Sequence, residues 1–145
     1  MTLQGSCLCG KITIEMPEPE KKTVGMCHCT MCQRFFGGPM ISLSGAPKDE
    51  VIIGGKEFLK FYDSSEWTER GFCSECGSSL CYRFKETGEI SFSAGAFHDL
   101  DDFHVEMEIY TDTRPNYLVP QPDAKQYTTK AFMELIGVSI EESAE

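Results

Sequence analysis

The chain has 145 residues, of which 41% are hydrophobic and 25% charged, and its formal net charge at pH 7 is -10. This length and balance are typical of one globular domain and exclude a mainly disordered chain. The acidic excess disfavours partners bound mainly through phosphates or anionic lipid, so we expect neither nucleic acid nor a membrane as partner. Met1 is followed by no basic or apolar targeting segment, which predicts a cytoplasmic protein.

Short segments in which apolar and polar residues alternate predict a mainly β protein. In chain order, the predicted strands cover residues 11–15, 40–44, 58–62, 67–72, 79–84 and 89–93. The last two strands are joined by Lys85-Glu86-Thr87-Gly88, a sequence typical of a hairpin turn. Frequent glycine and proline residues exclude long helices before residue 125.

The C-terminal region predicts a different local structure. Phe132, Leu135 and Ile136 form an apolar stripe, which predicts one short helix. Residues 139–145 are rich in glutamate and predict a solvated acidic tail. We therefore expect a single β domain over residues 1–138, followed by the tail.

Cysteine is the most informative residue type, because seven of the eight cysteines fall in three short clusters. The clusters are Cys7 and Cys9, followed by Gly10; Cys27, Cys29 and Cys32; and Cys73 and Cys76, followed by Gly77. Cytoplasmic thiols stay reduced, so the clusters favour metal binding over a disulfide framework. Pairs of this spacing are typical zinc ligands, so we expect the β domain to bind zinc.

The number of sulfurs predicts two unequal zinc sites. A closed structural site has four protein ligands, which two pairs distant in sequence can supply, whereas the triplet supplies only three. If the pairs at 7/9 and 73/76 combine, the triplet leaves one coordination position open to water or substrate. Spacing alone leaves the pairing open, since Cys27 and Cys29 could instead join the pair at 73/76. We expect about two zinc ions per chain.

An open site of three thiolates predicts a sulfur substrate. The net negative charge of such a zinc complex weakens activation of bound water, and a soft site favours another sulfur as ligand. We therefore expect a small thiol or its adduct as substrate. Cations that could bind an acidic thiol peptide are Arg34, Lys11, Arg83 and Arg114. His28 lies between two proposed ligands and, in an extended segment, would point away from the metal, which leaves a substrate-contact or acid–base role.

Three motifs occur in the order found in a known family: Gly5-Ser6-Cys7-Leu8-Cys9-Gly10, the Cys-His-Cys-x-x-Cys run at 27–32, and Phe72-Cys73-x-x-Cys76-Gly77. From about Gly5 to about Tyr117, the chain resembles the glutathione-dependent formaldehyde-activating enzyme family, which includes the centromere protein V type. The resemblance implies a β-tent fold of small antiparallel sheets. It also implies a structural zinc on Cys7, Cys9, Cys73 and Cys76, and a second zinc on Cys27, Cys29 and Cys32.

The resemblance implies carbon–sulfur lyase activity, which joins glutathione and formaldehyde into S-hydroxymethylglutathione or runs the reverse reaction. Our first hypothesis is a zinc-dependent lyase or thiol-adduct enzyme of this type, with the triplet holding the catalytic metal and Arg34 and His28 contacting substrate. The second is a non-enzymatic zinc module for protein interaction, and the third is a thiol redox or zinc sensor. Cys81, outside the clusters, is interpreted as a small strand residue.

Overall fold

The computed structural model describes residues 1–44 and 46–138, and the predicted acidic tail at 139–145 lies outside the described residues. The described residues form eleven short strands and two helices. In chain order these are β1 (Thr2–Ser6), β2 (Thr13–Pro17), β3 (Thr23–Cys27), α1 (Thr30–Phe36), β4 (Met40–Leu43), β5 (Ile52–Gly54), β6 (Leu59–Asp63), β7 (Thr68–Cys73), β8 (Ser79–Phe84), β9 (Ile90–Ser93), β10 (His104–Ile109), β11 (Lys125–Tyr127) and α2 (Thr129–Ile136).

The chain divides into two compact units. The first comprises Met1–Lys22 and Ser42–Phe103, and the second comprises Thr23–Ile41 and the residues from His104 onward. The chain passes from one unit to the other three times: after Lys22, within β4 after Ile41, and after Phe103. The single domain expected over residues 1–138 stays a prediction.

Antiparallel pairing organises the first unit. One sheet has the order β1-β2-β5, with Leu3 opposite Met16 and Ile14 opposite Ile53. A second run of strands has the order β9-β8-β7-β6, and the last two residues of β4 pair with β9. The hairpin predicted around residues 85–88 is present between β8 and β9, where Gly88 N–H donates to Phe84 O at 2.8 Å.

Alternating burial along these strands builds the core of the first unit. In β2, Ile14 and Met16 are buried while Thr13 is exposed, as a half-buried strand requires. The core includes Leu3, Ile12, Ile14, Met16, Leu43, Leu80, Phe92 and Phe97. Phe92 and Phe97 meet edge to face with ring centroids 5.9 Å apart, the arrangement that aromatic pairs prefer.

Parallel pairing distinguishes the second unit. Its strands have the order β11-β10-β3, and β10 is parallel to both neighbours. These parallel pairs differ from the antiparallel sheets that the family resemblance implied. Parallel neighbours need long connections between the paired strands. The register places Cys27, the last residue of β3, beside Ile109 at the end of β10.

Side-chain and glycine caps define both helices of the second unit. Cys29 caps the N-terminus of α1, and Gly37 ends that helix with a left-handed φ of 81°. The Thr128 hydroxyl accepts from Ala131 N–H at the start of α2. The predicted C-terminal helix is therefore confirmed, but its buried residue is Met133, whereas Leu135 and Ile136 of the predicted stripe are about half exposed.

The mainly β prediction is confirmed. The six predicted strands correspond to β2, β4, β6, β7, β8 and β9, with ends that differ by at most two residues. The sequence patterns did not indicate β1, β3, β5, β10, β11 or α1. Across residues 1–44 and 46–138, no helix has the length and apolar character needed to cross a bilayer.

Gly55→Ala should lower the free energy of unfolding by about 3 kcal/mol, from left-handed strain and overpacking together. Gly55 has a φ of 74°, and a Cβ there would overlap the carbonyl oxygen of Lys11. The control is Gly88→Ala, where φ is 76° but the nearest atom, Lys48 Nζ, is 3.5 Å away. Strain alone should cost that variant about 1 kcal/mol. Urea denaturation measures the free energy of unfolding of both variants. Equal losses in Gly55→Ala and Gly88→Ala would contradict the close approach at Gly55.

Candidate functional site

The first unit brings together Cys7, Cys9, Cys73 and Cys76, which we call the four-cysteine cluster. Their four sulfurs lie within 4.8 Å of one another. The Sγ–Sγ distance is 3.6 Å between Cys7 and Cys9 and 3.9 Å between Cys9 and Cys73. Cys7 and Cys73 are buried, whereas Cys9 is exposed. The geometry therefore groups the pair at 7/9 with the pair at 73/76, and their assignment as ligands of one structural zinc stays a prediction.

Two glycine turns aim these sulfurs at a common point. Gly10 and Gly77 have φ values of 79° and 78°, which suit glycine because it lacks a Cβ. Gly10 N–H donates to Cys7 O at 3.1 Å, and Gly77 N–H donates to Cys73 O at 2.8 Å. Each turn brings two cysteines of one segment to the same side.

Ser78 connects the two turns and was not singled out by the sequence analysis. Its hydroxyl oxygen accepts from Leu8 N–H at 3.0 Å and lies 3.1 Å from Cys76 Sγ. Because the oxygen accepts from Leu8, the hydroxyl hydrogen can be donated to the Cys76 sulfur. The only sequence signal for this role is a serine directly after the Cys-x-x-Cys-Gly turn.

Hydrogen bonding and crowding separate the pKa values of these thiols. The Ser78 hydroxyl, with nearby backbone N–H groups, lowers the pKa of Cys76 to about 5. At Cys9 the Lys11 N–H lowers the pKa, but desolvation and the neighbouring thiols outweigh it and raise the value to about 11. Thiolates this close repel one another, so full ionisation of the cluster favours a cation at its centre.

The second unit brings together Cys27, Cys29 and Cys32, which we call the three-cysteine cluster. Their sulfurs also lie within 4.8 Å of one another. Cys27 ends β3, Cys29 caps α1, and Cys32 lies in the first turn of that helix, where its N–H donates to Cys29 Sγ at 3.3 Å. The Cys29 and Cys32 thiols, together with burial, hold the pKa of Cys27 well above its ordinary value.

Hydrogen bonds fix the backbone between Cys27 and Cys29. His28 N–H donates to Ile109 O at 3.0 Å. His28 O accepts from Gln33 Nε2 at 2.7 Å and from the Thr113 hydroxyl at 2.8 Å. The two flanking cysteines are therefore held by β10, by α1 and by the turn at Thr111–Thr113.

The His28 side chain is fully buried and points to a carboxylate that the sequence analysis missed. His28 Nε2 lies 2.6 Å from Glu108 Oε1, and both side chains are 0% exposed. The ring nitrogens of His28 do not join the group of three sulfurs, which agrees with the expectation that His28 is not a ligand. No local signal identifies Glu108, because 80 positions separate it from His28.

Arg34 differs from the other cations proposed to bind substrate. Lys11 pairs with Glu75 at 2.7 Å, Arg83 donates to Glu69 at 2.8 Å, and Arg114 pairs with Glu108 at 3.4 Å. Arg34, in the last turn of α1, is exposed and forms no ion pair with the described residues. Among the four, it is the cation with its charge available.

Cys81 stays outside both clusters. It is 0% exposed in β8, and its sulfur would lie 2.6 Å from a Cβ placed at Gly71. Burial raises the pKa of Cys81 to about 12, which keeps it a neutral thiol. The interpretation of Cys81 as a small strand residue agrees with this placement.

Both clusters fit a soft metal ion. Four or three sulfurs within 4.8 Å of one another, with no carboxylate in either group, form the donor set that zinc and similar ions prefer. The fold and clusters thus define a small, mainly β protein with two separate cysteine clusters that could each hold a metal ion.

Comparison with known proteins gives the family. Residues 2–113 match the family model described as glutathione-dependent formaldehyde-activating enzyme. The chain belongs to this family, as the order of its cysteine motifs implied.

Two curated relatives are similar to this chain. A Halomonas elongata protein provisionally named glutathione-dependent formaldehyde-activating enzyme is 33% identical over 87 residues, which are 55% of this chain and 55% of that protein. The matched region is thus about half of the relative's length. A Schizosaccharomyces pombe protein named an uncharacterized lyase is 27% identical over 114 residues, 78% of this chain and 81% of that protein.

A solved structure supports the fold. The crystal structure of a Rhodobacter sphaeroides protein aligns with a TM-score of 0.56 at 22% identity, covering 70% of this chain and 98% of that chain. At this level of identity the likeness concerns the fold alone.

Ser78→Ala should lower the free energy of unfolding by about 1–2 kcal/mol, because Leu8 N–H and Cys76 Sγ both lose their partner. The control is Ser74→Ala in the same turn, whose exposed side chain has no hydrogen bond among the described residues. Urea denaturation of both variants checks the prediction. A loss in the Ser74 variant that matched the Ser78 variant would contradict the connecting role of Ser78.

Proposed function

We propose that this chain is a zinc-dependent carbon–sulfur lyase or thiol-adduct enzyme that acts on glutathione-type substrates. The observation that carries the proposal is the three-cysteine cluster, which converges like a metal site but offers one sulfur fewer than a closed one. Family membership supports the same activity.

The four-cysteine cluster has a structural role in this proposal. Its ligands come from the loop after β1 and from the end of β7 with the turn that follows. A metal held by both segments stabilises the folded first unit, because the unfolded chain cannot present the four sulfurs together.

The three-cysteine cluster has the catalytic role, with Cys27, Cys29 and Cys32 as metal ligands. Zinc bound there supplies a soft Lewis acid that keeps a coordinated substrate thiol deprotonated near neutral pH. The protein fixes the positions of the three sulfurs. A hydrogen bond from Cys32 N–H to Cys29 Sγ and the hydrogen bonds from Gln33 and Thr113 to His28 O hold the backbone that carries them.

Arg34 binds the substrate in this proposal. Glutathione carries two carboxylates, and a guanidinium can bind a carboxylate through two parallel hydrogen bonds. Arg34 lies two residues after Cys32, and its exposed side chain is available to an incoming anion. His28, by contrast, is buried against Glu108, so its contribution is to hold the cluster rather than to contact the substrate.

The proposed reaction joins a thiol to an aldehyde. As the sulfur attacks the carbonyl carbon of formaldehyde, a C–S bond forms and the carbonyl π bond breaks, with its electron pair moving to oxygen. The thiol loses its proton and that oxygen gains one. The reverse reaction breaks the C–S bond and releases the thiol and the aldehyde.

Glutathione should change the coordination of one of two metal ions. In protein loaded with Co²⁺ as a spectroscopic substitute for zinc, glutathione should alter the absorption of one site and leave the other unchanged. S-methylglutathione keeps both carboxylates but has no free thiol, so it should produce no such change. Spectra that ignore glutathione would contradict the enzyme proposal and favour a non-enzymatic metal module.

Arg34→Ala should weaken glutathione binding on the order of 5-fold, the effect of losing one exposed ion pair of about 1 kcal/mol. Lys130→Ala is the matched control, because it removes one exposed charge from a helix of the same unit. Binding is measured by titration of each metal-loaded variant. Equal weakening in both variants would point to net charge and contradict a specific role of Arg34.

Replacing one cysteine in each cluster should have unequal effects. Metal analysis should find about two zinc ions in the wild type. Cys73→Ala should prevent stable folding, because it breaks the four-ligand site that joins distant segments. Cys29→Ala should give a folded protein with about one zinc and no response to glutathione. Equal loss of structure by circular dichroism would contradict the division of roles.

A further inference from the structure

Glu108 is a charged side chain that is fully buried in β10, a placement that is costly unless every oxygen has partners. Oε2 accepts from Gln121 N–H at 2.7 Å and from Gln126 Nε2 at 2.8 Å. Oε1 accepts from His28 Nε2 at 2.6 Å and faces Arg114 Nη1 at 3.4 Å. These donors stabilise the ionised carboxylate, and they outweigh burial, so the pKa of Glu108 lies below its ordinary value.

An ionised carboxylate only accepts hydrogen bonds, so His28 Nε2 carries the hydrogen and donates it. The imidazole is thereby held in one orientation. Its residue is the single link between Cys27 and Cys29, and anchoring of its side chain restrains the position of its Cα. A shift of the His28 backbone would change the separation of the two flanking sulfurs. A continuous path of hydrogen bonds and covalent bonds connects Glu108 to two of the three sulfurs.

The chemistry of residue 28 indicates which of its atoms matters. His28 Nδ1 is buried and has no hydrogen-bond partner among the described residues, which is an unfavourable state for a polar atom. A phenylalanine of similar shape would fill the same space without that cost. The histidine therefore contributes one thing that an apolar ring cannot, which is the hydrogen bond from Nε2 to Glu108.

We propose that Glu108 is a positioning residue: through His28, it holds the sulfurs of Cys27 and Cys29 at the separation that a metal ion requires. The inference rests on the proposed function in assigning a metal to the three-cysteine cluster. Partners that hydrogen-bond directly to metal ligands typically contribute 10–100-fold to metal affinity. Glu108 acts through one intervening residue, so we expect an effect at the lower end of that range.

The test measures the zinc affinity of each site by competition with a chromophoric chelator, using three variants of the full chain. His28→Phe keeps the ring but removes the donor, whereas His28→Gln keeps an N–H at nearly the position of Nε2. Glu108→Gln keeps the size of the side chain but replaces one acceptor oxygen with an NH₂ group. His28→Phe and Glu108→Gln should each weaken one of the two zinc sites on the order of 10-fold, the lower end of the range for direct partners of metal ligands. His28→Gln should restore most of the affinity, and the other site should be unchanged in every variant.

Met133→Ala is the control for a general loss of stability, since Met133 is buried in α2 of the same unit and lies outside the hydrogen-bonded path. It should lower the melting temperature and leave both zinc affinities as in the wild type. Unchanged affinity in His28→Phe, or an equal loss in Met133→Ala or His28→Gln, would overturn the positioning role.

A glutathione titration of the same samples separates this inference from the proposed function. If the wild type binds two zinc ions but ignores glutathione, and His28→Phe weakens one of the two zinc sites, the positioning role holds and the proposed activity fails. If the variants bind zinc as the wild type does and glutathione still alters one site, the proposed activity holds and the positioning role fails. A wild type that binds zinc only at the four-cysteine cluster would overturn both.

Discussion

The mutual repulsion of closely held thiolates is the constraint on which this structure depends. Seven sulfurs occupy two groups in which every pair lies within 4.8 Å. Ionised thiols at such distances destabilise a fold unless a cation compensates them. Thiols that stay protonated avoid the repulsion, and crowding and burial accordingly raise the pKa values of Cys9 and Cys27. Under the proposed function, metal binding and folding are coupled at the four-cysteine cluster, whose ligands come from segments distant in the chain.

The two clusters meet this constraint by different local structures. Two glycine turns connected by Ser78 build the four-cysteine cluster, so most of its geometry comes from backbone conformation near the ligands. The three-cysteine cluster combines the end of a strand with the start of a seven-residue helix. Local hydrogen bonds from Gln33 Nε2 to His28 O and from Cys32 N–H to Cys29 Sγ link these two elements. The buried pair of His28 and Glu108 adds a restraint from another strand.

Under the proposed function, this difference separates a structural role from a catalytic one. A closed set of sulfurs at the first cluster leaves no position for a substrate, whereas the second cluster has fewer ligands and an exposed cation, Arg34, two residues beyond it. The match of residues 2–113 to the family model places the chain in the glutathione-dependent formaldehyde-activating enzyme family. A strongly acidic protein would repel an anionic thiol in general, so a single available arginine near the cluster gains importance for binding.

The sequence by itself determined the features that depend on neighbouring residues. Alternation predicted six strands because side chains of a strand alternate between two faces, and the short cysteine spacings predicted metal ligands because they bring two sulfurs to one side. Only the tertiary structure decided which cysteine pairs combine, that β3 and β10 run in parallel, and that Glu108 meets His28 across 80 positions. It also decided that Leu135 and Ile136 are about half exposed although their spacing predicted burial. These outcomes depend on contacts between segments distant along the chain, and local spacing carries no information about such contacts.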